Sequence, residues 1–310
     1  MVTYNHEKYI KQAIESALAQ KTNFDYELVI GEDCSPDGTR KIISEFQRRY
    51  PKQIRIISQP VNIGLYLNLI NTLRSCQGRY IAGLEGDDYW TSPNKLQKQV
   101  DYLDKHPECS LCLHKASIER DGSITEHKRA QIQGKDKQYS FNDIVTNNFI
   151  DSATVVFRAS VLNGYPPKWM KQLAMGDWPL WVLCAKEGKL GYIDENMATY
   201  RIHAGGAWSG QSIIRQAQQT LQALTLFKKI YQIKTPTFEA SFANWKRHLI
   251  ELRLHREDYF HAANDAWCLV PYAVVHSMST LAFAFKVMLR GYCPPVWLML
   301  NRIKKSRRQQ

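Results

Sequence analysis

The sequence predicts an α/β protein of the doubly wound kind, in which a mainly parallel sheet carries helices on both faces, followed by a C-terminal helical region. Three observations predict this fold class. Strand and helix patterns alternate over about the first 100 residues. Clusters of acidic side chains directly follow two of the predicted strands. Beyond Ser209 the pattern is mainly helical.

The first elements follow from apolar spacing. Asn5 is predicted to cap a first helix, in which apolar residues recur at helical spacing: Ile10, Ala13, Ile14, Ala17 and Leu18. The segment "YELVIGED" is then a short strand that ends in acids. After turn residues, a second helix places a set of apolar side chains on one face: Ile42, Ile43, Phe46 and Tyr50.

Two more strand-helix pairs complete this half. "IRIIS" and "RYIAGL" are the strands, and "NIGLYLNLINTLRSCQG" between them is a helix that Gly78 is predicted to close. Ser92 and Pro93 are predicted to begin the following helix, whose inward residues are Leu96, Val100 and Leu103.

The character of the pattern changes twice, which divides the chain into three predicted regions. Residues 1–115 form the alternating half. Residues 116–210 mix strands such as "SATVVFR" and "LGYIDENMATYR" with a helix, "DWPLWVLCAKEG". Residues 211–310 form a helical, basic region.

The charge distribution restricts the class of partner. The formal net charge is +12, yet no Asp or Glu occurs from Ala266 onward, where the charged residues are Lys286, Arg290, Arg302, Lys304, Lys305, Arg307 and Arg308. A basic tail beside apolar residues favours an anionic membrane surface over nucleic acid. Pro271 and His276 interrupt the apolar stretch, so interfacial helices, core helices and a membrane span all stay open.

Cysteine usage and the N-terminus indicate the compartment. The seven cysteines are odd in number and scattered, which favours a reducing environment. "MVTYNHEKYI" lacks the basic start and apolar core of a signal peptide. We therefore expect a cytoplasmic protein, peripheral at the inner face of the cell membrane.

The acidic clusters indicate the chemistry. Glu32-Asp33 and "LEGDDYW", which contains Glu85, Asp87 and Asp88, both end strands of the predicted parallel sheet, where ligands bind in such folds. Adjacent carboxylates resist ionising together unless a cation offsets their repulsion. A divalent ion with oxygen ligands, shared with substrate phosphates, is the simplest solution.

An ordered set of motifs resembles the family 2 glycosyltransferases, which have the GT-A fold: "MVTYNHEKYIKQAIESALAQ", "VIGEDCSPDGT", "NIG", "GRYIAGLEGDDYW" and "KLQKQVDYL". The resemblance covers residues 1–115 closely and continues to about residue 210. It implies an inverting transfer of a sugar from a nucleotide-diphosphate donor, UDP-linked, to an acceptor hydroxyl. It also implies that residues 1–115 bind the nucleotide-sugar, that residues 116–210 bind the acceptor and carry the catalytic base, and that a glycan or lipid-linked acceptor is used in cell-surface polysaccharide or glycolipid synthesis.

The resemblance also implies roles for individual residues. Thr3 and Tyr4 line the base pocket and Asp33 accepts a hydrogen bond from uracil. Asp87 lies by the ribose and diphosphate and, with Asp88, belongs to the motif that holds Mn²⁺ or Mg²⁺. Glu85 stands where many members have aspartate, so its role stays open.

A second group of residues is assigned in the later half of the chain. Asp177, at the start of a helix, matches the family's catalytic base, although the same position also suits a helix cap. Arg201 and His203, in the glycine-rich "YRIHAGGAWSG", are expected to contact the diphosphate or the acceptor.

One departure from the family concerns the first strand. Members have a full apolar strand before the "TYN" segment, whereas here only its last residues are present, so the strand is expected to be truncated and the true start to lie upstream of Met1. Two rival functions remain at this point: a sugar nucleotidyltransferase, whose Gly-rich N-terminal loop is missing, and an inactive GT-A module that acts as a scaffold.

Overall fold

The computed structural model describes residues 1–126 and 137–297, and the chain divides into two compact units, Met1–Gly210 and Gln211–Gln310. The strands of the first unit are β1 (Val2–Thr3), β2 (Leu28–Glu32), β3 (Ile54–Ser58), β4 (Tyr80–Ala82), β5 (Tyr89–Trp90), β6 (Cys109–Arg120), β7 (Ser123–Glu126), β8 (Gln138–Tyr139), β9 (Val156–Arg158) and β10 (Lys189–Ile202). Its helices are α1 (Ile10–Leu18), α2 (Thr39–Arg49), α3 (Leu65–Ser75), α4 (Lys95–Lys105), α5 (Phe141–Thr146) and α6 (Asp177–Glu187).

The first sheet is parallel, in the order β1-β2-β3, and an isolated parallel bridge between Val2 and Glu85 joins β1 to the segment after β4. Helices cover both faces of β2. Ile30 belongs to the core that α1 and α2 complete, whereas Gly31 faces α3, where an added Cβ would lie 1.9 Å from the Thr72 hydroxyl. The predicted parallel sheet with helices on both faces is confirmed.

The second sheet is mixed and has the order β4-β9-β6-β10-β5, with β7 on β6 and β8 on β10. The long strand β10 runs parallel to β6 and antiparallel to β5. This pairing brings the end of β10 beside the acidic segment that precedes β5. The boundary predicted at residue 115 falls within β6.

The predicted start of the first helix is wrong. Asn5 has a positive φ of 60° and its N–H donates to Ser35 Oγ, so it lies in a turn. The helix begins only at Ile10, after Tyr9. The intervening His6 is held from both sides, because its N–H donates to Thr39 Oγ1 and its ring contacts the Thr3 hydroxyl.

Two further helix ends differ from the prediction for tertiary reasons. Gly78 does not close α3, because the chain already becomes extended at Cys76 and Gln77 N donates to Glu27. Ser92 does not begin α4, whose first residue is Lys95. The Ser92 and Pro93 carbonyls instead accept hydrogen bonds from Gln20 Nε2 and the Lys21 N–H.

A cavity of about 530 Å³ lies between β2 and β4. Met1 lies at its wall, and the terminal ammonium donates to the Val29 carbonyl at 2.7 Å. Burial lowers the pKa of this ammonium. Strand β1 consists of two residues, and the truncated first strand and the upstream start stay predictions.

The second unit contains α7 (Ile213–Tyr231), α8 (Pro236–His255), α9 (Tyr259–Trp267), α10 (Val270–His276) and α11 (Met278–Tyr292). Helices α8, α9 and α11 share a small core that includes Ile250, Ala262, Ala266, Ala284 and Val287. No helix within residues 1–126 and 137–297 is long and apolar enough to cross a membrane. The basic residues between 302 and 308, which are predicted to favour an anionic membrane surface, lie outside the described residues.

Lys95 is a buried cation just beyond the acidic segment. Its ammonium lies 4.3 Å from the centre of the Trp90 ring and donates to the Val155 carbonyl at 3.5 Å. Burial lowers the pKa of this group from 10.5 to about 7. Between these values the unfolded chain binds more protons here than the folded chain, so Lys95 makes stability rise with pH.

We therefore expect Lys95→Met to increase the free energy of unfolding at pH 7 by about 1–4 kcal/mol, because it removes a buried charge. The gain should shrink as the pH rises toward 10. Urea denaturation at pH 7 and at pH 9.5 measures both effects. Lys98→Met, which removes a neighbouring lysine paired with Glu195 at the surface, is the control. A gain that does not change with pH would contradict this account.

Candidate active site

The two acidic clusters lie on either side of β1, at the end of the first sheet. Gly86 N donates to the Val2 carbonyl at 2.9 Å, and Asp33 N donates to the Thr3 carbonyl at 3.2 Å. Asp87 and Asp88 are buried, with exposed fractions of 7% and 1%. Both acidic clusters therefore lie where the parallel strands of the first sheet end.

The three carboxyl groups of the second cluster have different pKa values. Burial, with repulsion from Asp87 and Asp177, raises the pKa of Glu85 to about 8. Burial and repulsion from Asp87 and Glu85 raise the pKa of Asp88 well above its usual value. Burial also opposes ionisation of Asp87, but hydrogen bonding to His203 and the nearby imidazoles outweigh it and lower the pKa. Asp87 is therefore the member that ionises most readily.

Two histidines approach Asp87 from distant parts of the chain. His203 Nε2 lies 3.0 Å from Asp87 Oδ2, and His6 Nε2 lies 3.5 Å from the same oxygen. The Tyr9 ring packs against His203 with a centroid distance of 4.7 Å. Burial lowers the pKa of His6, which favours the neutral imidazole at pH 7.

Arg201 connects the end of β10 to the acidic cluster. Its backbone N–H donates to Asp88 Oδ1, and its Nη1 donates to the Asp87 carbonyl, each at 2.8 Å. The guanidinium also bonds Gln12 and Glu119 and lies over the rings of Tyr9 and Tyr89. Arg201, which is predicted to contact the diphosphate or the acceptor, is thus a buried group that positions the acids, and its contact with substrate stays a prediction.

The predicted nucleotide-base residues lie at the other side of β1. Asp33 is buried, and its two oxygens accept hydrogen bonds from the N–H groups of Ile63 and Gly64, at 2.8 Å and 2.9 Å. Thr3 is buried and contacts His6, whereas Tyr4 is 43% exposed. The structure gives Asp33 a role in fixing the loop before α3, and its bond to a base stays a prediction.

Asp177 is the first residue of α6 and lines a cavity of about 90 Å³ that also contains Glu85. Asn148 Nδ2 donates to Asp177 Oδ2 at 3.4 Å. The helix N-terminus favours a negative charge at this position. Asp177 therefore shares its cavity with Glu85, and the lining of that cavity includes neither Asp87 nor the two histidines.

The residues present fit a divalent cation. Two groups have ligand atoms within 4.8 Å of one another: Glu85 with Asp87 and Asp88, and Asp87 with His6 and His203. Asp87 Oδ1 is buried and has no hydrogen-bond partner among the described residues. A cation would satisfy this oxygen and offset the repulsion among the acids.

Sequence reasoning missed several members of the site. Asp151 is a buried carboxyl group that raises the pKa of both Glu85 and Asp88, although it follows no strand. His6 and Gln12 lie in or near the first helix, where periodicity marks only the core side. The one sequence signal for a functional role of His6 is its place in "MVTYNHEKYIKQAIESALAQ", a motif that resembles the family.

The Asp33 contacts generate a stability prediction. Asp33→Ala leaves the N–H groups of Ile63 and Gly64 without their acceptor, so we expect it to lower the free energy of unfolding by about 2–4 kcal/mol. Asp33→Asn keeps one acceptor oxygen and should lose about half as much. Urea denaturation of both variants measures the difference. Equal losses would show that the two hydrogen bonds do not fix this loop.

Comparison with known proteins identifies the family. Residues 1–165 match the sequence profile described as Glycosyl transferase family 2. Rv1520 of Mycobacterium tuberculosis is 37% identical over 207 residues, which cover 67% of this chain and 59% of that protein. A Nostoc glycosyltransferase, alr2836, is 30% identical over 227 residues, covering 71% of this chain and 69% of that protein.

Solved structures share the fold at low sequence identity. The Staphylococcus aureus TarS fragment 1–349, in complex with UDP, has a TM-score of 0.61 and 15% identity, with 94% of this chain and 90% of that chain covered. The mannosyltransferase PcManGT from Pyrobaculum calidifontis, in complex with GDP-Man and Mn²⁺, has a TM-score of 0.54 and 18% identity, with 94% and 79% covered. The predicted GT-A fold is confirmed, and the chain belongs to glycosyl transferase family 2.

Proposed function

We propose that this chain transfers a sugar, with inversion, from a nucleotide-diphosphate donor to an acceptor hydroxyl. One observation supports the proposal: Glu85, which lies within 4.8 Å of the carboxyl oxygens of Asp87 and Asp88, shares a cavity with Asp177 from a distant part of the chain. Carboxyl groups that hold a cation and a carboxyl group that takes a proton are the two requirements of such a transfer.

The donor is proposed to be a UDP-sugar held with Mn²⁺ or Mg²⁺. TarS binds UDP and UDP-GlcNAc, and PcManGT binds GDP-Man with Mn²⁺, which supports this class of donor without selecting its sugar. The cation, when bound, would neutralise charge that develops on the departing diphosphate. Asp87 and Asp88 are the carboxyl groups predicted to hold it.

Asp177 is proposed to accept the proton of the acceptor hydroxyl as that oxygen attacks the anomeric carbon. Its partial exposure at the start of α6 lets an acceptor reach it, and Asn148 orients one of its oxygens. A general base of this kind contributes about 10²–10⁴-fold to a rate. The alternative role of Asp177 as the helix cap is wrong, because Gly176 occupies the N-cap position and Asp177 is the first helical residue.

We expect Asp177→Asn to reduce transfer by at least about 100-fold while donor binding changes little, because the amide cannot accept the proton. Nucleoside diphosphate release from UDP-glucose, UDP-GlcNAc and GDP-mannose, with Mn²⁺ and a set of glycan acceptors, measures turnover. Calorimetry with UDP measures binding.

Glu187→Gln changes an exposed carboxyl group at the other end of α6 and is the matched control. Unchanged transfer in Asp177→Asn would remove Asp177 as the base. No turnover of any donor by the wild type, together with no Mn²⁺-dependent binding of UDP, would favour an inactive scaffold.

The acceptor is proposed to be a glycan or a lipid-linked glycan in cell-surface polysaccharide synthesis, at the inner face of the membrane. TuaG of Bacillus subtilis, named a putative teichuronic acid biosynthesis glycosyltransferase, is 26% identical over 202 residues, covering 64% of this chain and 76% of that protein. This likeness supports the class of pathway. A location at the membrane also requires a surface of this chain that can bind the bilayer.

The second unit has such a surface, which we call the apolar face. Exposed apolar side chains recur every seven residues in two rows. The row on α9 and α10 consists of Phe260, Trp267 and Val274, and the row on α11 consists of Met278, Phe285 and Tyr292. The rings of Phe260 and Tyr292 lie 6.1 Å apart, which joins the two rows into one surface. Since no acidic residue occurs from Ala266 onward, an anionic bilayer is its proposed partner.

We expect the double substitution of Trp267 and Phe285 by Ser to weaken binding to phosphatidylglycerol-containing vesicles by at least about tenfold, since each aromatic ring buries apolar area worth about 1.5–3 kcal/mol. Vesicle sedimentation measures the bound fraction. Val61→Ser, which removes an exposed apolar side chain from the first unit, is the control. Wild-type protein that dimerises and ignores the vesicles would assign the apolar face to a second copy of the chain.

A further inference from the structure

The cluster of His6, Asp87 and His203 has a feature that the predicted ligand pair of Asp87 and Asp88 does not explain. Two imidazole nitrogens lie 3.0 Å and 3.5 Å from one oxygen of Asp87, and the three ligand atoms lie within 4.8 Å of one another. Adjacent ligands of one ion with bonds of about 2.1 Å are roughly 3 Å apart. The spacing therefore suits shared coordination.

We propose that His6 is a metal ligand, and that it completes a set with Asp87 and His203 for a divalent first-row transition ion. The inference rests on the proposed function for the ion's purpose, but not for its ligands. Asp87 belongs to both candidate groups, and the two accessible histidines, rather than Asp88, are its partners.

Thr3 gives His6 the form that a ligand needs. The His6 Nδ1 lies 3.2 Å from the buried Thr3 hydroxyl, which can accept the ring N–H when His6 is the Nδ1–H tautomer. The Nε2 lone pair is then directed to Asp87. Metal-binding histidines commonly donate their other ring nitrogen to a fixed partner in this way, and that partner sets the tautomer and the ring orientation.

Access distinguishes the two candidate groups. The side chains of His6 and His203 are 13% and 16% exposed, whereas Asp88 is 1% exposed and already accepts the Arg201 N–H at 2.8 Å. An ion that also contacts a diphosphate needs open positions toward solvent. The histidine side of Asp87 offers them, while Asp88 positions the strand end that carries His203.

An independent observation points to a missing ligand at this place. Asp87 is more than nine-tenths buried, and its Oδ1 has no hydrogen-bond partner among the described residues. An unsatisfied carboxylate oxygen of this kind is unfavourable unless something binds it. With a cation bound by this carboxylate, the two imidazoles would contact the ion and would no longer both depend on the same oxygen of Asp87.

The ligand types specify the class of ion. Mg²⁺ prefers oxygen ligands and keeps much of its water, whereas imidazole nitrogen favours first-row transition ions. The proposed set of two histidines and one carboxylate therefore predicts stronger binding of Mn²⁺ than of Mg²⁺. The resting protein, without any donor, is sufficient to observe this.

The test is Mn²⁺ binding to the purified full chain, followed by calorimetry and by pulsed electron paramagnetic resonance, which detects nitrogen bound to the metal. We expect nitrogen coupling in the wild type, and excess Mg²⁺ should not displace the Mn²⁺. His6→Gln should weaken binding at least about tenfold and reduce the nitrogen coupling.

His106→Gln is the matched control, because His106 also contacts a carboxylate, Glu108 at 3.1 Å, away from the site. Circular dichroism verifies that His6→Gln is folded, and its amide can still bond the Thr3 hydroxyl. Identical nitrogen coupling in the wild type and His6→Gln would overturn the inference, as would an absence of Mn²⁺ binding. Nitrogen coupling that depends on His6 in a chain without transferase activity would instead refute only the proposed function.

Discussion

The repulsion among Glu85, Asp87 and Asp88 is the constraint on which the site depends. Burial raises the pKa values of Glu85 and Asp88, and repulsion from the neighbouring acids raises them further. Two imidazoles, from the N-terminal segment and from the end of β10, lie beside Asp87 at the edge of this cluster. The acidic segment thus determines which distant parts of the chain have to converge.

Strand β10 is the element that makes this convergence rigid. Its parallel pairing with β6 and its antiparallel pairing with β5 fix the position of its last residues relative to the acidic segment. Arg201 and His203 therefore lie beside Asp87. Arg201 then bonds the backbone as well as side chains, and Glu119 lies 3.2 Å from its Nε. The Arg201 guanidinium therefore places a positive charge near the acids, and its position is fixed by contacts within the folded chain.

Sequence reasoning recovered what periodicity and strand-end position determine. The alternating elements, the acids beside β1 and the helix that begins at Asp177 all follow from local patterns. It failed where a distant side chain replaces a local cap. Gln20 Oε1 accepts the Leu96 N–H at 3.1 Å, which serves the start of α4 without Ser92 as its cap. The contact of His6 with Asp87 was missed for a related reason. His6 precedes the nine-residue helix α1, and the apolar pattern of that helix says nothing about a contact with a distant acid.

The different surroundings of Glu85 and Asp177 separate two roles that one carboxyl group cannot fill together. A pKa of about 8 leaves Glu85 mostly protonated at neutral pH, so it is suited to donate a hydrogen bond and unsuited to accept a proton. Asp177 shares the cavity with Glu85 but lies at a helix N-terminus, which favours the ionised form. Because a protonated Glu85 carries no charge, it does not oppose a negative charge on Asp177, and this supports the proposal that Asp177 is the base.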